Sequence, residues 1–202
     1  FSTWDFNRLT LNSNFKKKFS LGGNKYKKNR FGLNYYQRFI VGKIWAKSFV
    51  PGQEGYNIEG NSSNDLLKKK YLVDQFYGQE QLFLNYHMPG EGNLRGFVNS
   101  GERGAEALIS SSSEIGIDKN LLDNKLNFAF TIFADAGTFW NRKTLSGYSN
   151  RVLADVGFGV NLKTKIFEKY LFFRIDLPFL IYNVGETKID KNNWVFSFQR
   201  SI

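Results

Sequence analysis

The stretch that decides the fold is Asn124–Asn141, NKLNFAFTIFADAGTFWN, in which apolar and mixed positions alternate with a period of two. Successive side chains of a β-strand point to opposite faces, so this alternation predicts one strand. Its apolar face contains Leu126, Phe128, Phe130, Ile132, Ala134, Ala136, Thr138 and Trp140, and its mixed face contains Asn127, Ala129, Thr131, Phe133, Asp135, Gly137 and Phe139. Strands in soluble proteins usually have about 5–6 residues, whereas this one extends over about 15. Because a tilted membrane strand needs about 9–11 residues, we predict a transmembrane strand.

The same alternation recurs after this stretch, over residues 151–165, 170–180 and 193–202. In each case one face is apolar and the other contains Gly, Asp, Arg, Asn, Ser or Gln. A soluble sandwich would instead present an outer face rich in Lys, Glu and Thr, so the pattern is typical of the interior of a membrane barrel. A weaker alternation over residues 106–117 predicts a further strand, although its run of four serines also fits a loop.

Two loops and three more strands complete the expected order. Glycines without periodicity over residues 88–103 predict a long loop, and residues 51–65 predict another. Before the long loop, strands are expected at residues 5–18, 30–50 and 66–84. The second of these is either one strand or two strands with a turn near Gly42. The predicted fold is an all-β, antiparallel transmembrane β-barrel with about eight strands present, five of them after the long loop.

Composition limits the alternatives. No stretch approaches 18 consecutive apolar residues, so transmembrane helices are excluded. The net charge of +10 is compatible with charged loops in solvent, with attraction to the phosphates of anionic lipid or lipopolysaccharide, and with nucleic-acid binding. No nucleic-acid-binding motif is present, and we expect no nucleic-acid partner. The chain begins at Phe1 without an initiator Met or a signal peptide, so we expect a fragment or a processed product.

Catalytic chemistry is not indicated. The chain contains no Cys and one His, His87, whereas metal sites usually need several ligands. The serine run Ser110–Ser113 lacks a nucleophile elbow and a His base. The glycine-rich GEGNLRG lacks the Lys-Ser/Thr of a phosphate-binding loop. We therefore expect no enzyme, no cofactor and no metal.

Three short motifs occur in a particular order. Leu94-Arg95-Gly96-Phe97 lies in the long loop, Glu114 lies late in the next strand, and Phe133-Ala134-Asp135-Ala136-Gly137 lies in the strand after that. The order resembles the C-terminal part of the BamA/TamA superfamily of outer-membrane insertase and translocation barrels. There an Arg-Gly-aromatic motif sits at the tip of a loop that folds into the barrel, opposite a Phe-x-Asp-x-Gly strand. The resemblance covers about residues 85–202.

The resemblance implies a site and a location. Arg95 would pair with Asp135 and Glu114 and latch the loop, residues 88–103, inside the barrel. Gly96 would allow a tight turn beside Phe97, and Gly137 would make room beside Asp135. The last strand would be the C-terminal targeting strand, with Trp194, Phe196, Phe198 and Ile202 as its marker positions. Residues 1–202 would be one incomplete domain, the C-terminal half of a 16-stranded barrel in the outer membrane of a Gram-negative bacterium.

The implied partners are outer-membrane lipid and lipopolysaccharide, the remaining barrel strands from the same chain or a partner, unfolded outer-membrane proteins and accessory lipoproteins. Two other interpretations stay open at this point. The barrel could anchor or export a fused enzyme or binding domain, or it could be a complete eight-stranded structural barrel. An eight-stranded interior is just filled by side chains and would not admit the long loop.

Overall fold

The computed structural model describes residues 6–21, 31–46, 56, 92, 94–97, 105–121, 125–140, 151–166, 169–183, 186–189 and 194–200. These residues form an all-β, antiparallel fold, as predicted, with one 3-10 turn at Arg95–Phe97. The strands are β1 (Phe6–Leu21), β2 (Phe31–Ala46), β3 (Ala107–Leu121), β4 (Leu126–Trp140), β5 (Arg151–Ile166), β6 (Lys169–Asn183), β7 (Glu186–Ile189) and β8 (Val195–Arg200).

No helix in the described ranges is both long enough and apolar enough to cross a membrane.

The strands form a single antiparallel sheet in which β1 to β6 pair in chain order. Both β7 and β8 pair with β6: β7 lies opposite residues 180–183 and β8 opposite residues 171–176. Because β5 already pairs along one edge of β6, β7 and β8 follow one another along the other edge. The described sheet is therefore seven strands wide, with β7 and β8 sharing the last place.

The two faces of the sheet differ as the alternation predicts. On β4, Phe128, Phe130 and Ile132 are exposed on one face, and Thr131, Phe133 and Asp135 are buried on the other. On β5, Val152, Val156 and Phe158 are exposed, whereas Leu153 and Asp155 are buried. We call the first face the apolar face and the second the charged face.

Individual strands refine the sequence predictions. Residues 30–50 contain one strand, β2, which passes Gly42 without a turn; a Cβ at Gly42 would collide with the ring of Tyr56. The serine run belongs to β3 and is not a loop. The short strand β7 was not predicted. The strand expected at residues 66–84 lies outside the described residues, as does His87.

A bulge explains how a proline fits inside β6. The register between β5 and β6 shifts between Val156 and Gly157, so that Val156 lies opposite Leu180 and Gly157 opposite Pro178. Proline has no N–H for the ladder and is tolerated in sheets mainly at edges and bulges. The extra residue, Phe179, also changes which later positions of β6 face inward: Ile181 packs against the buried core.

The sheet is curved, and its charged face is concave. Arg174 on β6 contacts Glu114 on β3 at 3.0 Å although β4 and β5 lie between them. On a flat sheet the two backbones would be roughly 14 Å apart, so curvature helps to bring the side chains together. Residues of the loop between β2 and β3 occupy this concave side. The buried core there consists of Ile40, Ile44, Tyr56, Leu94, Phe97, Ala105, Leu108 and Leu153.

Candidate functional site

The candidate site forms where the 3-10 turn meets the charged face. Four neighbouring strands each supply one inward-facing carboxylate at this level of the sheet. They are Glu114 on β3, Asp135 on β4, Asp155 on β5 and Asp176 on β6. Because alternate residues of a strand share a face, each strand can place one acid beside the turn and keep apolar residues on the other side.

The Arg95 side chain enters this group of acids and is 2% exposed. Its Nη2 forms a close ion pair with Glu114 Oε1. Its Nε lies 3.4 Å from Asp135 Oδ2 and 4.0 Å from Asp176 Oδ2. Burial opposes the charged form, but the carboxylates of Asp135 and Glu114 outweigh it and raise the pKa of Arg95 above its ordinary value. The guanidinium therefore stays protonated.

An aromatic ring supports the same side chain from one side. The Arg95 guanidinium carbon lies 4.0 Å from the centroid of the Phe133 ring. Phe133 is itself buried, and a desolvated cation–π contact contributes about 2 kcal/mol. Phe133 is therefore part of the site. From the sequence it was only the first residue of the Phe-x-Asp-x-Gly motif, with no contact assigned to it.

The backbone of the turn is held as well as the side chain. The Arg95 N–H donates to Asp135 Oδ2 at 3.4 Å, and the Gly96 N–H donates to Asp155 Oδ2 at 3.0 Å. Asp135 and Asp155 lie directly opposite each other on β4 and β5. Ser112 donates through Oγ to Asp135 Oδ1, which orients that carboxylate. Two successive peptide N–H groups thus contact two adjacent strands.

Arg174 links the acids to one another. Its Nε donates to Asp176 Oδ2 at 2.7 Å, and its Nη2 donates to Glu114 Oε1 at 3.0 Å. Glu114 therefore accepts from two arginines, one on the loop and one on β6. Charge-assisted hydrogen bonds shared in this way offset part of the desolvation cost of a buried ion pair. The Nε and Nη1 atoms of Arg95 have no hydrogen-bond partner among the described residues.

Two glycines provide space at the contact. A Cβ on Gly96 would lie 2.7 Å from the Asp155 Cβ, so the loop could not approach β5 as closely with any other residue. Gly96 lies inside the 3-10 turn Arg95–Phe97 without a left-handed φ, so the close approach to Asp155 is what requires a glycine here. A Cβ on Gly137 would lie 3.0 Å from Leu94 Cδ1. Gly137 therefore makes room for the loop residue that precedes Arg95.

The structure brings most of the residues singled out from the sequence into one place. Arg95, Gly96, Glu114, Asp135 and Gly137 meet at the turn, and Phe97 packs in the adjacent core. Sequence reasoning missed four polar members of the site. They are Ser112, Asp155, Arg174 and Asp176. Each lies on a face that alternation marks as inward, but alternation does not show which inward positions meet across strands.

The C-terminal marker positions lie elsewhere. Trp194 is half exposed and precedes β8. Phe196 and Phe198 lie in β8, with Cα positions opposite Ile175 and Phe173 of β6. Ile202 is outside the described residues. β8 therefore forms part of the last strand position of the sheet.

The site attaches the loop between β2 and β3 to the charged face of the sheet through ion pairs and hydrogen bonds. Among the residues described, no group of His, Cys, Asp or Glu has a geometry suited to a metal ion. No protein-family model, no curated protein and no solved structure matches this chain.

Proposed function

We propose that this chain forms part of an outer-membrane β-barrel of the protein-insertion and translocation type, similar to the BamA/TamA superfamily, with Arg95 as the latch of an inward-folded loop. The observation that carries the proposal is the contact of Arg95 with Glu114 and Asp135. These residues are 19 and 40 positions away in sequence, and the resemblance singled out the same pairing. This agreement between the order of the motifs and the observed contacts supports the proposal.

The apolar face supports a membrane environment. Exposed apolar side chains continue across neighbouring strands, with Ile115 53%, Ile132 57% and Val152 53% exposed. Soluble monomers rarely expose contiguous apolar patches larger than a few hundred Å². A sheet with charge on its concave side and large apolar residues on its convex side matches a strand arrangement in lipid.

The loop position supports a barrel larger than eight strands. Leu94, Arg95, Gly96 and Phe97 are buried on the concave side, whereas an eight-stranded interior has room only for strand side chains. An open sheet in lipid would leave edge N–H and C=O groups without partners. The proposal therefore includes further strands, from the same chain or a partner, that complete the wall.

The membrane part of the proposal can be tested by labelling, because the chain contains no Cys. Ile132→Cys places a probe on the apolar face, and Ala129→Cys places a matched probe on the charged face of the same strand. With the intact protein in lipid vesicles, a fluorophore on Ile132→Cys should be quenched by a lipid-phase nitroxide. The same fluorophore on Ala129→Cys should be quenched by aqueous iodide. Equal iodide quenching at both positions would show that β4 does not face lipid.

The insertion part needs a separate assay. Vesicles containing the intact protein should fold a urea-unfolded small outer-membrane barrel faster than vesicles containing an unrelated barrel of similar size. The unrelated barrel controls for the bilayer defects that any barrel causes. Arg95→Met should lower this rate. Lys17→Met, which removes a cation from the apolar face of β1, should not. A rate equal to that of the unrelated barrel would favour the anchoring interpretation.

A further inference from the structure

The apolar face changes character close to the end of the sheet where β3 joins β4. Lys119 of β3 lies on this face, and its Nζ is 5.1 Å from the centroid of the exposed Phe31 ring on β2. The Cα of Lys119 lies opposite those of Phe31 and Phe128, so the lysine stands between two exposed aromatic residues. Aromatic residues near strand ends are typical of the girdle at which a barrel leaves the hydrocarbon.

The apolar face offers Lys119 no carboxylate within β1 to β6. Every acid of these strands lies on the charged face: Glu114, Asp118, Asp135, Asp155 and Asp176. The Lys119 ammonium group contacts the Phe31 ring and forms no ion pair with a described residue. Because a lysine packs its stem along apolar surface and extends its charge to the interface, a lipid phosphate would be the counter-charge within reach.

The spacing of cations on this face matches a bilayer. On β2 to β5 the alternation places one other cation on the apolar face, Lys43 of β2, near the opposite end. Lys43 pairs with Ala107 of β3, which precedes Lys119 by 12 residues. At about 3.3 Å per residue and a strand tilt of about 40°, these two levels are about 30 Å apart along the membrane normal. The hydrocarbon core of a bilayer is also about 30 Å thick, so Lys43 and Lys119 stand at its two boundaries.

The end of the sheet beside Lys119 has an excess of positive charge. Residues 22–30, which link β1 to β2 at this end, contain four Lys or Arg and no acid. The nearby strand ends add Lys18, Lys163 and Lys165, against the single carboxylate of Asp118. Clusters of about four to eight basic residues next to a membrane attract anionic lipids.

The lengths of the links indicate the leaflet. At the basic end, 9 residues link β1 to β2, 4 link β3 to β4 and 2 link β5 to β6. The two longest links are at the opposite end, with 60 residues between β2 and β3 and 10 between β4 and β5. Outer-membrane barrels have short turns on the periplasmic side and longer loops outside. In the proposed barrel the basic end therefore faces the periplasmic leaflet, whose anionic lipids are phospholipids.

We propose that Lys119 binds the phosphate group of an anionic phospholipid of the periplasmic leaflet, with the rings of Phe31 and Phe128 beside the upper part of its acyl chains. The inference rests on the membrane part of the proposed function and adds the lipid class and the residue that contacts it. It does not depend on insertase activity, since an anchoring barrel would present the same face to the same lipids.

The test is local lipid quenching. Ile117→Cys places a fluorophore beside Lys119, because Ile117 is two residues away on the same face and 48% exposed. The intact labelled protein is placed in phosphatidylcholine vesicles that contain an equal small fraction of brominated phosphatidylglycerol or brominated phosphatidylcholine. The brominated phosphatidylglycerol should quench more strongly. Lys119→Gln should reduce this preference by about threefold to fivefold, the share of one lysine near an anionic surface, and Lys119→Arg should keep it.

The matched control is Lys43→Gln, which removes one cation from the same face at the opposite boundary and should leave the preference at Ile117→Cys unchanged. Circular dichroism checks that each variant folds, and Lys119→Met replaces Lys119→Gln if that variant does not. Equal quenching by the two lipids without the Lys119 substitution, or an unchanged preference in Lys119→Gln, overturns the proposal. An equal fall in Lys43→Gln assigns the preference to net charge and also overturns it. Absence of quenching by either brominated lipid would instead refute the membrane part of the proposed function, on which the inference rests.

Discussion

Substituting Arg95 by methionine removes a buried guanidinium but keeps a long apolar side chain. Breaking one partner of a buried ion pair costs about 3–5 kcal/mol, because the remaining charges are left without compensation. Here Glu114 keeps Arg174 at 3.0 Å and Asp176 keeps Arg174 at 2.7 Å, so two of the three contacted acids retain a cation. Asp135 keeps the hydrogen bonds that Ser112 Oγ and the Arg95 backbone N–H donate, and both donors are neutral. We therefore expect a loss of about 3 kcal/mol in the free energy of unfolding, at the lower end of that range.

The measurement is urea-induced unfolding of the intact protein in detergent, followed by tryptophan fluorescence. Limited proteolysis reports on the loop, and Arg95→Met should make residues 88–103 cleavable under native conditions. Arg174→Met is the matched control: it removes an equally buried guanidinium that contacts Glu114 and Asp176 but belongs to the sheet. It should destabilise the sheet by a similar amount without exposing the loop first.

A double-mutant cycle decides whether the pairings themselves matter. Because Glu114 keeps its contact with Arg174 when Arg95 is removed, coupling between Arg95→Met and Asp135→Asn should exceed coupling between Arg95→Met and Glu114→Gln. The charge swap Arg95→Asp with Asp135→Arg should partly restore the stability lost in either reversal alone. Coupling below about 0.5 kcal/mol in both cycles would refute the latch, since contacting residues normally couple by 0.5–3 kcal/mol.

Three further substitutions should change the free energy of unfolding in different directions: one leaves it unchanged or raises it, and two lower it. Asp155→Asn should leave the free energy of unfolding unchanged or raise it by up to about 1 kcal/mol in the same urea assay. Asp155 lies directly opposite Asp135, where like charges destabilise a sheet, and the amide oxygen of Asn can still accept from the Gly96 N–H. A loss as large as that of Asp135→Asn would contradict this expectation. Gly96→Ala should cost about 1–3 kcal/mol and open the loop to protease, because its Cβ would lie 2.7 Å from Asp155 Cβ. Tyr56→Phe should cost about 1–3 kcal/mol by leaving the Leu9 carbonyl oxygen without the hydroxyl 2.8 Å away, and an unchanged urea midpoint would contradict that contact.

The strands themselves could be predicted from the sequence because a period of two is a local signal. The alternation in β4 gave both the strand and its two faces, as the exposed Ile132 and buried Phe133 show. β2 was ambiguous because Gly42 is a common turn residue, and only the ring of Tyr56, from another part of the chain, explains the glycine. β7 was missed because four residues are too few to display a period.

The site could be predicted only where a resemblance to a family motif marked it. Arg95, Glu114 and Asp135 were found through the order of short motifs, and no rule of local spacing would have paired them. Asp155 and Arg174 were recognised as inward-facing, but their contacts depend on the register between strands and on the curvature of the sheet. Register is a tertiary property, since a shift by one residue would move every side chain to the other face.

The loop between β2 and β3 contacts strands near both edges of the sheet, and these contacts indicate how the latch would act. Tyr56 pairs with Ala105 through two backbone hydrogen bonds, and its hydroxyl reaches Leu9 and Thr10 on β1. Arg95 and Gly96 reach carboxylates on β3 to β6. The same loop thus contacts strands near both edges of the sheet across its concave face. A contact of this kind resists flattening of the sheet, so release of Arg95 should loosen the curvature as a whole and weaken the contact of Arg174 on β6 with Glu114 on β3. A smaller coupling between Arg174→Met and Glu114→Gln in the Arg95→Met background than in the wild type would be the direct sign of that effect.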